Sequence, residues 1–281
     1  MISLRSLLLE VFNTTPKAII LSGAAGIGKS SLMNTIQPHI PADFKVFNPD
    51  TFNPEDDPKR PNIVKNSKTI RTKAIPDAIN NKQNFVYDTT GQNFDETFNI
   101  IKSAQDSGYK VMVIMLYGSP IVNFLRNFSR NRTVPKDAVL NNWAKVYGLI
   151  DKYKKIPNID YLLVQTELSP DERSEVVKFE KAYKGGELEE YFKQMIQSNP
   201  KKFQSSFRKP QTDIETADDL PDPETLKAKE EKKKQSEKRF SDAIKNLKNQ
   251  FGQVEKYLKV IKPMYYKEAV GAVKTFAKPW I

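Results

Sequence analysis

Gly23-Ala24-Ala25-Gly26-Ile27-Gly28-Lys29-Ser30 fills every fixed position of the phosphate-cradling pattern G-x-x-x-x-G-K-S/T. The flanks suit it. Lys17-Ala18-Ile19-Ile20-Leu21 is a short apolar run with the character of a buried strand, and Leu32, Met33 and Ile36 fall at helical spacing just after the loop. Glycines let such a loop curl until successive N–H groups face inward as an anion nest, and the helix start adds its own unpaired N–H groups. Gly23 through Ser31 are therefore the expected nucleotide-binding residues. Lys29 is placed to balance charge between the β- and γ-phosphates, and the Ser30 hydroxyl to hold Mg²⁺, so the expected cofactors are ATP and Mg²⁺.

Outward from the loop, strands alternate with helices. Phe44–Phe47, Asn84–Tyr87, Tyr109–Tyr117 and Ile159–Val164 read as further strands. Between them, helices are expected over 67–82 (interrupted by Pro76), 94–106, 119–131 and 136–153, with one near the N-terminus ending at about Asn13. The fold class is α/β: a P-loop NTPase with a doubly wound parallel sheet of about five strands and a helical C-terminal extension. Residues 1–199 form the expected P-loop domain, 200–223 a linker rich in Pro, Ser, Thr and Asp, and 224–281 a basic helical tail. In that tail Phe240, Ile244, Leu247, Phe251, Val254, Leu258 and Ile261 recur every three or four residues, so one face must pack on the core, on a second copy or on a partner.

Composition narrows the chemistry. The chain of 281 residues has no cysteine, which excludes a disulfide scaffold, a thiolate metal site and a cysteine nucleophile. Its only histidine, His39, stands beside Pro38 after the first helix and reads as a surface or cap residue. No run approaches the roughly 18 apolar residues of a membrane span, and the N-terminal stretch does not read as a signal peptide, so a cytoplasmic setting is expected. The net charge is +11, of which residues 201–281 carry +7. A basic segment beside a phosphate-handling domain points to nucleic acid as a partner, or to a solvated lysine-rich helix.

Further residues separate the P-loop classes. Asp50 follows the second strand, and Asp88-Thr89-Thr90 ends the third, so both carboxylates fall at the strand ends that face the ligand crevice. Asp50 is placed to accept a proton from an attacking hydroxyl. Arg126 and Arg130, four residues apart, share one helix face, which either clamps phosphoryl oxygens or faces solvent. There is neither an N-K-x-D guanine signature nor an Asp-Glu pair of the motor type.

From about Lys17 to Trp143 the chain resembles phage polynucleotide 5′-kinases and the wider group of small P-loop kinases that includes zeta toxins. Beyond the loop, the likeness rests on Val46-Phe47-Asn48-Pro49-Asp50, on Val86-Tyr87-Asp88-Thr89-Thr90, and on Arg126-Asn127-Phe128-Ser129-Arg130 followed by Val134-Pro135. It implies Asp50 as general base on the acceptor hydroxyl, Asp88 with Thr89 positioning the acceptor, and Arg126 and Arg130 closing over the phosphates. It implies a polynucleotide 5′-OH as acceptor, or a small molecule or nucleotide sugar if the chain is of zeta-toxin type. The phage-like resemblance also implies a viral or mobile-element setting, in the host cytoplasm or the virion. One departure stands out. Asn53 occupies the position at which the polynucleotide kinases carry an acceptor-binding arginine, leaving Arg60 or Arg71 to substitute. An assembly protein whose tail carries the main role, by partner binding or self-association through 224–262, is the competing expectation; deletion at Pro223 would then remove its phenotype, whereas a kinase would keep its turnover.

Overall fold

The computed structural model describes residues 15–52, 62–129, 134–199 and 223–278. Five parallel strands form one sheet: β1 (Lys17–Ser22), β2 (Lys45–Phe47), β3 (Phe85–Thr89), β4 (Lys110–Tyr117) and β5 (Ile159–Gln165), in the order β2-β3-β1-β4-β5. β1 is central, with Ile20 level with Tyr87 on one side and Val113 on the other. Its six residues are all buried, as expected of a parallel strand covered on both faces. The helices are α1 (Lys29–Ile36), α2 (Ile63–Thr69), α3 (Ile75–Asn80), α4 (Phe94–Asp106), α5 (Pro120–Phe128), α6 (Lys136–Tyr147), α7 (Ile150–Lys154), α8 (Pro170–Gly185), α9 (Leu188–Ser198), α10 (Pro223–Val260) and α11 (Tyr266–Ala277).

Strand alternation divides the core into two layers. Ala18 and Ile20 face a layer with Tyr87, Val113, Trp143 and Phe179, whereas Ile19 and Leu21 face one with Leu32, Ile36, Ile114 and Val273. The sheet thus carries all its loop-forming strand ends at one edge, where the P-loop, Asp50 and Asp88 emerge.

Three expectations are refined. The helix expected from 67 begins at Ile63, capped by the Asn62 side chain accepting from Lys65 N at 3.1 Å. Pro76 does not end it: a π-helical segment, Ile70–Ala74, leads into α3, which carries Pro76 in its first turn. The helix expected over 136–153 divides at Gly148 into α6 and α7, and a side chain at 148 would lie 2.9 Å from Gln250 of α10.

That crowding reflects where the C-terminal helices go. Ile244, Leu247, Phe251 and Val254 are buried in the first core layer. Phe251 stacks edge-on against Phe179 at 5.2 Å and Tyr183 at 4.8 Å, and lies 5.9 Å from Trp143. The apolar stripe of α10 is therefore occupied by the chain's own core, not left for a second copy or a partner. Past α10 the chain bridges Met264 to Val164 beside β5, and α11 covers the second layer with Ala269, Val273 and Ala277. Among the described residues no helix is long and apolar enough to cross a membrane, and no cluster of His, Cys, Asp and Glu could hold a metal ion. The expected first helix near the N-terminus and the linker after Asn199 lie outside the described residues.

Candidate active site

The P-loop owes its shape to where its carbonyls are anchored. Gly26 (φ 87°) and Gly28 (φ 106°) take left-handed backbone angles that other residues rarely adopt. The Gly23 carbonyl accepts from Lys29 Nζ at 2.9 Å and the Ala25 carbonyl from Asn123 Nδ2 at 3.0 Å. The Ile27 carbonyl accepts from Thr166 Oγ1 at 2.8 Å and from Arg126 Nη1 at 3.0 Å. With every second carbonyl tied to a side chain, the amides between them are what the loop can offer an anion. Two of these amides are already engaged: Ala25 N donates to Asn142 Oδ1 at 2.8 Å and Ile27 N to the Ala24 carbonyl at 3.2 Å.

Facing the loop are the two carboxylates. Asp88 is buried; Asp50 is exposed at the turn after β2. Asn48 links them, donating from Nδ2 to Asp88 Oδ2 at 3.0 Å while its own Oδ1 accepts from Asp50 N at 2.8 Å. Burial pushes the Asp88 carboxyl above the ordinary carboxylate range; the Lys29 ammonium pulls it down and Asp50 pushes it up. Asp88, Lys29 and Asp50 therefore form one electrostatic unit. Thr89 Oγ1 accepts from Gly91 N at 3.3 Å, and the Tyr153 hydroxyl donates to the Gly91 carbonyl at 2.8 Å, so the turn after β3 is pinned. Ser30 and Ser31 open α1, exposed.

The expectation that Arg126 closes over the phosphates meets a different arrangement. Its Nε and Nη2 grip Glu172 at 2.5 and 2.8 Å, Nη2 also donates to the Glu167 carbonyl at 2.6 Å, and Nη1 donates to the Ile27 carbonyl and to Thr166 Oγ1, each at 3.0 Å. All five guanidinium N–H groups are used on the protein. What Arg126 retains for a ligand is charge and a planar face. Burial pushes the Glu172 carboxyl up, but the hydrogen bonds and charge of Arg126 outweigh it and hold the group below its ordinary value. Arg126→Ala should therefore strand Glu172, leave the Ile27 carbonyl to Thr166 alone and cost about 2–4 kcal/mol of stability, read from thermal melts at neutral pH. The deficit should shrink as pH falls below the ordinary carboxylate range, where Glu172 is protonated in the unfolded chain.

Residues 9–142 match the zeta toxin family model. The matched span is under half of the chain and takes in Lys29, Asp50, Asp88 and Arg126, ending at Asn142. With the loop and the strand order, the match supports a zeta-toxin-like P-loop kinase. No curated protein sequence matches the chain. Among solved structures it is similar to one from the PezAT chromosomal toxin–antitoxin system of Streptococcus pneumoniae, at 14% identity and a TM-score of 0.43, over 69% of this chain and 88% of that one. It is also similar to a gluconokinase from Sinorhizobium meliloti, at 18% identity and a TM-score of 0.38, over 55% and 85%.

Arg130, Asn53 and Arg60 lie outside the described residues. Arg71, the other candidate for holding an acceptor phosphate, pairs with Glu96 at 3.1 Å. His39 is exposed at the end of a 3₁₀ turn. The sequence reading missed Asn123, Asn142, Thr166 and Glu172. Only Asn123 left a signal: it stands one helical turn before Arg126 on the same face of α5.

Proposed function

We propose that the chain is an ATP- and Mg²⁺-dependent kinase that phosphorylates a hydroxyl on a small acceptor of nucleotide-sugar type. The observation that carries it is a complete P-loop, with Lys29 held on the Gly23 carbonyl, beside the two carboxylates that Asn48 links, Asp88 and Asp50. The loop amides and Lys29 hold the donor phosphates. Ser30 and Asp88 are the groups that would hold Mg²⁺, which when bound spreads the negative charge of the phosphates. Asp50, exposed beside them, takes the acceptor's proton as the hydroxyl oxygen bonds to the γ-phosphorus. The bond from that phosphorus to the β,γ-bridging oxygen breaks, and ADP leaves with the electron pair. Catalysis of this kind is positioning and charge balance, which is what the fixed carbonyls and the buried Asp88 supply.

The family match favours the small acceptor over a polynucleotide 5′-OH, which rests on the resemblance to polynucleotide kinases, with Asn53 in the place of their acceptor-binding arginine, and on the chain's +11 charge. A competition assay tests the choice. Transfer from γ-labelled ATP to a panel of nucleotide sugars should vary little with salt, whereas transfer to a 5′-OH oligonucleotide that falls steeply with salt would favour the polynucleotide reading. We place catalysis in residues 1–199, with 224–281 bracing that domain.

Asp88 gives a second test with opposite signs. Its raised value means that the folded chain holds this proton more tightly than the unfolded one. The stability it contributes is present below the ordinary carboxylate range, about pH 4, and is lost as pH rises through the raised value. Asp88→Asn should therefore melt higher than wild type at neutral pH, the gap closing toward about pH 4, while transfer is lost. A variant that melts lower at neutral pH would contradict the burial argument.

A further inference from the structure

A cavity of about 390 Å³ adjoins the P-loop, lined by Gly26, Gly28, Ser31, Arg126, Glu167 and Tyr266. Asp50 and Asp88 do not line it. Tyr266 is the unexpected member, since it comes from the far end of the chain. The Met264 bridge brings it there: Gln165 N donates to the Met264 carbonyl at 2.7 Å and Met264 N to the Leu163 carbonyl at 2.8 Å. Tyr266 is thereby set beside Thr166 and Glu167, where β5 runs out. It is 6% exposed. A Cβ built on Gly28 would stand 3.4 Å from the Tyr266 hydroxyl oxygen and 3.4 Å from Oγ1 of Thr166, the side chain that holds the Ile27 carbonyl. α11 is fastened along its length by Ala269, Val273 and Ala277 and at its end by Lys17 Nζ, which donates to the Lys278 carbonyl. Tyr266 is thus a fixed wall, not a loop residue passing by.

A donor whose phosphates lie in the loop and whose γ-phosphate faces Asp50 must send its nucleoside elsewhere. The cavity touches the loop at Gly26 and Gly28 and the start of α1 at Ser31, and its volume falls in the range of small-ligand pockets. We infer that this cavity receives the base of the donor nucleotide, and that the C-terminal extension supplies its aromatic wall through Tyr266. The inference rests on the kinase reading and adds a role for residues 264–278 that the P-loop domain alone does not provide. The ring gives stacking area, and the hydroxyl lies beside Gly28 at the loop.

The experiment measures binding of ATP and of inorganic tripolyphosphate, both with Mg²⁺, by calorimetry on the full chain. Wild type, Lys29→Ala, Tyr266→Leu and Tyr266→Phe are compared, and thermal melts establish that each is folded. Tyr266→Leu keeps an apolar side chain of similar bulk in the second core layer. It should weaken ATP about tenfold and leave tripolyphosphate unchanged, whereas Tyr266→Phe should bind ATP within about threefold of wild type. If Tyr266→Leu does not fold, Tyr266→Phe and Tyr266→Trp carry the test: an aromatic wall predicts that both retain ATP, and loss in both overturns it. ATP binding that needs Lys29 but is indifferent to Tyr266→Leu overturns this inference alone. So does equal weakening of ATP and tripolyphosphate, which would make Tyr266 a support for the loop. Wild type that binds neither ligand overturns the kinase reading with it.

Discussion

Truncation of the chain before Pro223 is expected to give an aggregating protein without a cooperative thermal transition, not a smaller active enzyme. Removing α10 uncovers Trp143, Phe179 and Phe192, all buried in the complete chain, and strips Ile244, Leu247, Phe251 and Val254 from the first core layer. Burial of each such side chain is worth about 1.5–3 kcal/mol, so the four together reach on the order of 10 kcal/mol, the scale of a whole domain's stability. Removing α11 as well uncovers Leu32 and Ile36 on the P-loop helix. This reverses the expectation, natural for a basic tail, that deletion at Pro223 leaves turnover intact. Leu247→Ala, at a fully buried position, is the milder form and should cost about 2–5 kcal/mol by chemical denaturation. A folded, soluble 1–222 fragment would contradict the packing described here.

Lys29→Ala is expected to lower phosphoryl transfer by on the order of 10²–10³-fold while leaving the melting temperature within a few degrees of wild type. Lys29 opens α1, half-buried, and its ammonium donates to the Gly23 carbonyl at the head of the loop. Its loss removes the cation nearest the donor phosphates and also the charge that pulls the Asp88 carboxyl down. Two readouts separate these effects. Transfer should fall at every pH, and Asp88 should titrate still higher, measurable by carbon NMR of its carboxyl. Transfer within about threefold of wild type would remove Lys29 from the mechanism.

The sequence made the centre of the molecule legible and left its surroundings obscure, for physical reasons. Strands such as Lys110–Tyr117 are buried on both faces and therefore read as unbroken apolar runs. The loop declares itself because only glycine suits φ of 87° and 106° at Gly26 and Gly28. The carboxylates are found because parallel strands deliver their ends to one edge. The stripe on α10 announced a buried face, but periodicity carries no information about what covers it, and the answer, Trp143 and Phe179, lies far away in sequence. Arg126 was legible as a candidate and illegible as one whose donors are all used, because Thr166 and Glu172 approach it only in the fold. Tyr266 is the extreme case, since the bridge at Met264 and the packing of α11 that set it beside Gly28 join segments far apart in sequence.

The central claim is that Asp50 takes the acceptor's proton at a working P-loop. The most direct measurement is transfer from γ-labelled ATP with Mg²⁺ to nucleotide sugars and to a 5′-OH oligonucleotide, with Asp50→Asn run beside wild type and ATP affinity measured for both. The account predicts labelled product with wild type, a loss of about 10²–10⁴-fold in Asp50→Asn, and ATP affinity unchanged. Equal transfer by both proteins, or ATP binding without transfer to any hydroxyl acceptor, would contradict it.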